Sequence, residues 1–154
     1  MTEQEKLMYE ILGQITTSDI PIVFKGGLIT KLILNESGLS SVQRTTKDID
    51  ANWIGQPPSM DYLVDSLNNS FGDLQRCYKA VASRQYGEKQ SAGISVIDKN
   101  TGRKFITMDI DIKPLIDSKT YYYEQTKIRG VLPNEILADK ICVLSGEAIY
   151  KNRA

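Results

Sequence analysis

Histidine is absent from all 154 residues of the chain. That absence removes Ser-His-Asp triads, Cys-His dyads, HExxH zinc sites and any imidazole proton shuttle. Cysteine is scarce: Cys77 and Cys142 lie far apart and outside any metal or redox spacing, which points to a reduced, cytoplasmic chain. No charge sign dominates, because 19 basic and 19 acidic residues cancel, so the sequence-wide mark of a nucleic-acid binder is missing. Long apolar runs are missing as well. The run from Leu32 to Leu34 is among the longest, and nothing is built to span a membrane. Met1 to Lys6 is polar and mixed in charge, unlike a secretory leader. What remains is an ordinary globular composition, 41% hydrophobic and 25% charged, in a length that suits one domain with its own core. Chemistry here must rest on carboxylates, Lys, Arg, Tyr, hydroxyls, backbone amides or borrowed metal ions.

Periodicity supplies the elements. Leu7, Met8, Ile11, Leu12 and Ile15 mark one helical face over residues 3–16. Pro21 to Phe24 reads as a short buried strand running into Gly26-Gly27, followed by a helix with Leu28, Ile29, Leu32 and Ile33 inward that stops near Gly38. Asp48 to Ile54 alternates polar and apolar residues, as a strand does. Pro57-Pro58-Ser59 introduces a helix carrying Met60, Leu63, Val64 and Leu67 at helical spacing. Residues 77–83, 92–98 and 104–112 read as strands, with a hairpin turn at Lys99 to Gly102. Residues 121–129 read as one weaker strand, and a last helix starts after Pro133. This order implies an α/β (α+β) fold, a mixed β-sheet with flanking helices, over a single domain spanning residues 1–154. The last helix has no C-cap glycine, so the expectation is a piece of a longer protein.

Three local signals bear on chemistry. Lys25-Gly26-Gly27 joins a strand to a helix, where paired glycines let backbone approach a ligand and helix amides can meet phosphate; a plain tight turn looks the same. On a strand, Asp48 and Asp50 share one face while Ile49 and Ala51 share the other. Two adjacent carboxylates repel unless a cation sits between them, which suits Mg²⁺ on nucleotide phosphates; a solvated polar face is the blander alternative. Ile106, Met108, Ile110 and Ile112 form an apolar face, with Thr107, Asp109 and Asp111 opposite. If the two acid strands are neighbours, their carboxylates converge above the sheet, as two-metal phosphoryl or nucleotidyl transfer requires. Asp109 and Asp111 stand about 6.5–7 Å apart along a strand and cannot fill one ligand position. Asp109 is favoured, since Asp111 lies nearer Pro114, where the strand must end.

Phe24-Lys25-Gly26-Gly27, then Arg44-x-Thr46-x-Asp48-Ile49-Asp50, then an acidic strand and Ile136-Leu137-Ala138-Asp139-Lys140 resemble the AbiEii/AbiGii toxin-like nucleotidyltransferases. These belong to the DNA-polymerase-β-type nucleotidyltransferase superfamily. The resemblance implies transfer of a nucleoside monophosphate from an NTP to an acceptor hydroxyl, with Mg²⁺ or Mn²⁺, RNA or tRNA among the acceptors, and a cognate antitoxin protein as partner. It implies catalytic and metal-binding roles for Asp48, Asp50 and Asp109, with Asp111 as the alternative third ligand. Nucleotide binding then falls to Lys25, Gly26, Gly27, Arg44, Thr46 and Lys140. The chain departs from the family pattern at Leu28, where Thr or Ser is usual, and in the 20 residues between Gly27 and Asp48. Arg153 matches the start of a last motif whose acids lie past Ala154, and the usual C-terminal helical region is expected to be lacking. Two other functions share these motifs: a non-catalytic nucleotide- or antitoxin-binding module, and a small-molecule (antibiotic-type) nucleotidyltransferase.

Other features fit both a functional and a structural role. Lys140 falls in the apolar sector of its helix near Ile136, Leu137 and Leu144, so it either snorkels to the rim or meets an anion; Glu147 is placed to pair with it. Residues 76–104 hold seven basic side chains against two acidic ones, which suits either an RNA-contacting ribbon or a solubilising surface. Tyr121, Tyr122 and Tyr123 suit base stacking or a half-buried strand.

Overall fold

The computed structural model describes residues 3–36, 38, 48–85, 90–114 and 116–134. In chain order it contains α1 (Glu3–Thr17), β1 (Ile22–Lys25), α2 (Gly27–Glu36), β2 (Asp48–Ile54) and α3 (Met60–Ser70). After a short 3₁₀ segment (Gly72–Arg76) come β3 (Tyr78–Arg84), β4 (Ser91–Asp98), β5 (Lys104–Lys113), β6 (Ser118–Tyr123) and β7 (Thr126–Val131). The strands form one seven-stranded sheet in the order β3-β4-β5-β2-β1-β7-β6. It is mixed: β2 runs parallel to β5 and β1 parallel to β7, while the other neighbours are antiparallel. The expected mixed sheet with flanking helices is therefore present.

Local sequence explains the elements. Met8, Ile11, Leu12 and Ile15 of α1 recur at helical spacing and are fully buried. Ser59 caps α3, its hydroxyl accepting from the Tyr62 amide at 3.1 Å, directly after the two prolines that no helix interior accepts. The β4–β5 hairpin turns at Gly102, which takes a φ of 71°. Ile49, Ala51 and Trp53 of β2 and Ile106, Met108 and Ile110 of β5 alternate into one apolar cluster with the buried faces of the three helices. Each such large aliphatic side chain contributes about 1.5–3 kcal/mol on leaving water.

The sequence expectation is corrected at residues 121–129. They are not one strand: β6 and β7 form a hairpin in which Tyr123 pairs with Thr126. The turn carries no glycine or asparagine, so nothing announced it; Glu124 itself adopts a φ of 54°. The tyrosine run is split by this geometry. Tyr121 is buried and donates to the Val131 carbonyl at 2.6 Å, Tyr123 stacks on Tyr9 with ring centres 4.5 Å apart, and only Tyr122 faces outward. Tyr9 also donates to the Leu28 carbonyl at 3.0 Å, tying α1 to the start of α2, as does the buried Glu5–Lys31 pair. The helix expected after Pro133 lies outside the described residues.

Candidate active site

Register places the acidic residues. β5 lies directly beside β2, and Asp50 sits opposite Asp109, Asp48 opposite Thr107 and Asn52 opposite Asp111. In a parallel pair such partners share a face, so the polar sides of both strands form one surface. The row continues sideways: Lys25 of β1 is opposite Asp50, and Gly93 of β4 is opposite Asp109. Asp48 is exposed, and Asp50, Asp109 and Asp111 are half-buried. An open groove of about 810 Å³ reaches this surface at Asp48 and Thr107 and runs past Phe105 to Glu3 and Leu7 of α1.

Gly26 makes the strand–helix turn possible in two ways. Its φ of 81° is in the left-handed region, and a Cβ there would collide with the Asp50 carboxylate. The Asp50 oxygens thus lie against the backbone that enters α2, where unpaired amides favour negative charge. Thr30 closes the turn, its amide and hydroxyl donating to the Gly26 carbonyl at 3.0 and 2.9 Å. Leu28, where the family usually has a hydroxyl, is buried in the core instead.

Two cations flank the acids unequally. Lys25 reaches over β2 and donates to Asp111 at 2.6 Å. Burial alone would raise the Asp111 carboxyl, but the Lys25 bond and charge, helped by Ser91 and Lys113, hold it below the ordinary carboxylate value. Asp50 moves the other way. Burial raises its pKa, Asp109 raises it further, Lys25 offsets part of this, and Asp48 and Asp111 add weaker like-charge repulsion. Asp50 and Asp111 are therefore shifted in opposite directions although Lys25 acts on both. On the far side, Arg84 of β3 donates to Asp109 at 3.4 Å.

The donor set is entirely oxygen, which suits Mg²⁺ or Mn²⁺ over softer ions. Among the described residues no three acids converge on one point, because Lys25 draws Asp111 aside and Arg84 faces Asp109. A second observation favours a cation here: Asn52 is 1% exposed, and its amide oxygen has no hydrogen-bond partner among the described residues. Such an orphaned acceptor is unusual and calls for a donor or an ion-bound water.

The acids Asp48, Asp50, Asp109 and Asp111 thus share one face of the sheet beside the turn formed by Lys25, Gly26 and Gly27, without three of them converging on one point. Arg44, Thr46 and Lys140 lie outside the described residues. Sequence reading missed Asn52 and took Arg84 only as one of the seven basic residues of a possible RNA-contacting ribbon. Asn52 had a signal, since Asp48-x-Asp50-x-Asn52 extends the same alternation; nothing in the sequence tied Arg84 to Asp109, because that contact depends on non-local pairing.

This geometry coincides with a family match. The family described as nucleotidyl transferase AbiEii toxin, type IV toxin–antitoxin system, matches residues 10–154. The chain belongs to the AbiEii family. Its fold is similar to a solved structure of MenT4, a nucleotidyltransferase toxin from Mycobacterium tuberculosis H37Rv, with a TM-score of 0.50 and 16% sequence identity. That match covers 90% of this chain and 51% of MenT4, so the AbiEii-family chain spans about half the length of that relative. No curated protein sequence matches it. No described helix is long and apolar enough to cross a membrane.

Proposed function

We propose that this AbiEii-family chain carries the catalytic core of a metal-dependent nucleotidyltransferase that moves a nucleoside monophosphate from an NTP to an acceptor hydroxyl, breaking the bond between the α- and β-phosphates and releasing pyrophosphate. The observation that carries the reading is Asp50 facing Asp109 across parallel strands, with Asp50 pressed against the Gly26 turn. Asp48, Asp50 and Asp109 would hold Mg²⁺ or Mn²⁺; the bound ion supplies charge neutralisation at the triphosphate and the attacking oxygen. Asp109 orients the acceptor hydroxyl and takes its proton. Gly26 and Gly27 present the α2 amides to phosphate. Lys25 already engages the Asp111 carboxylate, which supports Asp109 rather than Asp111 as the third residue that would hold the ion. Arg44, Thr46 and Lys140 complete the nucleotide side on the family resemblance. The type IV toxin–antitoxin description supports a toxin with an antitoxin partner; a cytoplasmic location and RNA or tRNA as the acceptor rest on the family resemblance.

The test is NTP binding with Mg²⁺ followed by radiolabel transfer onto total tRNA, in parent and Asp50→Asn proteins. Metal-dependent transfer that Asp50→Asn abolishes is the expected result. NTP binding without transfer to RNA or to small-molecule acceptors would instead indicate a binding module.

A further inference from the structure

β3 ends irregularly. Its ladder with β4 shifts between Ala82 and Arg84, leaving Ser83 as an extra residue. Such a bulge bends the strand and re-aims the side chain that follows. Opposite Arg84 stands Gly93, where a Cβ would come within 3.0 Å of the Ser83 hydroxyl and 3.1 Å of the Arg84 Cβ. Gly93 in turn faces Asp109. The missing side chain leaves a gap through which the Arg84 guanidinium reaches the acid row, donating to Ser91 Oγ at 3.0 Å and Asp109 Oδ1 at 3.4 Å. Bulge and glycine together aim a permanent cation at a carboxylate two strands away.

The Arg84–Asp109 pair is built to exchange. The Arg84 side chain is 56% exposed and Asp109 41%, and an exposed pair at this distance is weak. Lys25, by contrast, is 21% exposed and bonds Asp111 at 2.6 Å. A cation arriving at Asp109 competes directly with Arg84, whose planar fork of donors then needs another anion, and phosphate oxygens fit it best.

We propose that Arg84 is a phosphate-binding residue of this site: it neutralises Asp109 in the free protein and turns to the triphosphate when a divalent ion takes that carboxylate. The proposal rests on the nucleotidyltransferase reading and adds a residue that neither the motifs nor the family resemblance assigned. It commits to the nucleotide side rather than the acceptor side.

The experiment measures two affinities without turnover: Mn²⁺ alone, by proton relaxation, and inorganic tripolyphosphate with Mg²⁺, by calorimetry. The proteins are the parent, Arg84→Gln, Arg84→Lys, Asp50→Asn and Lys99→Gln, a surface control at the β4–β5 turn, each checked by thermal melting. Arg84→Gln should bind tripolyphosphate about tenfold or more weakly, yet bind Mn²⁺ alone severalfold more tightly because its competitor is gone. Arg84→Lys should fall between parent and Arg84→Gln, and Lys99→Gln should match the parent. Unchanged tripolyphosphate affinity in Arg84→Gln would overturn the proposal, and so would an equal loss in Lys99→Gln, which would signal bulk charge. Weaker binding of a single-stranded RNA oligonucleotide with tripolyphosphate unaffected would overturn it too, by moving Arg84 to the acceptor. If the parent binds Mn²⁺ and Asp50→Asn does not, the metal reading stands whatever Arg84 does. If the parent binds neither probe, both readings fall.

Discussion

The two faces of β2 and β5 are made by the same backbone and have opposite energetics. One face, with Ile49, Ala51, Trp53, Ile106, Met108 and Ile110, is closed into a core in which every side chain finds apolar neighbours. The other, with Asp48, Asp50, Asn52, Asp109 and Asp111, concentrates like charge and leaves a buried amide oxygen unpaired among the described residues. The first face holds the sheet together, and the second uses part of that stability. A fold keeps such a surface when something outside it completes it; under the proposed function that is a cation with nucleotide phosphates.

Four changes should break or sharpen this contrast, in descending size. Ile110→Ala, on the core face between Asp109 and Asp111, should lower stability by about 2–5 kcal/mol in denaturant unfolding. Its folded fraction should still bind Mn²⁺ as the parent does; loss of metal binding would mean the faces are not separable. Asp50→Asn, on the acid face, should reduce transfer by at least about a hundredfold, roughly 2.7 kcal/mol in the barrier, while the metal-free melting temperature holds or rises. Near-normal turnover in this variant would sink the metal-site reading. Asp111→Ala should cost transfer no more than about tenfold, about 1.4 kcal/mol, because Lys25 already occupies that carboxylate.

The smallest effect is one of sign, read from melting against pH. Asp111 has a folded pKa lowered from 3.8, so its charge stabilises the fold above that value, and the benefit fades as pH falls through the lowered folded value. Asp111→Asn should therefore be less stable than the parent near neutrality and equal to it in strong acid. Asp50 has a folded pKa raised from 3.8, so its ionisation costs stability progressively as pH rises above 3.8, and the cost is complete once pH passes the raised folded value. Asp50→Asn should be the more stable protein near neutrality and again equal in strong acid. Shifts of the same sign in both variants would show that the acid row behaves as one undivided charge.

Much of the site was legible because strands alternate. Period two puts Asp48 with Asp50 and Asp109 with Asp111 on polar faces from residue order alone, and Gly26-Gly27 marks the turn. The β6–β7 hairpin was not legible, since its turn at Glu124 and Gln125 lacks the residues that usually announce one. Nor was the partner of Asp111. Sequence spacing separates Asp109 from Asp111 and favours the former by its distance from Pro114, but the Lys25 bond to Asp111 joins residues 86 apart in the chain.

By itself, the sequence determined which chemistry is open to this protein and which residues share a face. A chain without histidine must use carboxylates, Lys, Arg, Tyr, hydroxyls, backbone amides or bound ions, and side-chain alternation is a local property of backbone geometry. Tertiary structure alone decided the register that sets Asp50 opposite Asp109, the reach of Lys25 over β2, and the bulge and bare glycine that bring Arg84 to the acid row. Those contacts join strands far apart in the chain, and strand order and register follow from how the whole core packs, not from any local preference.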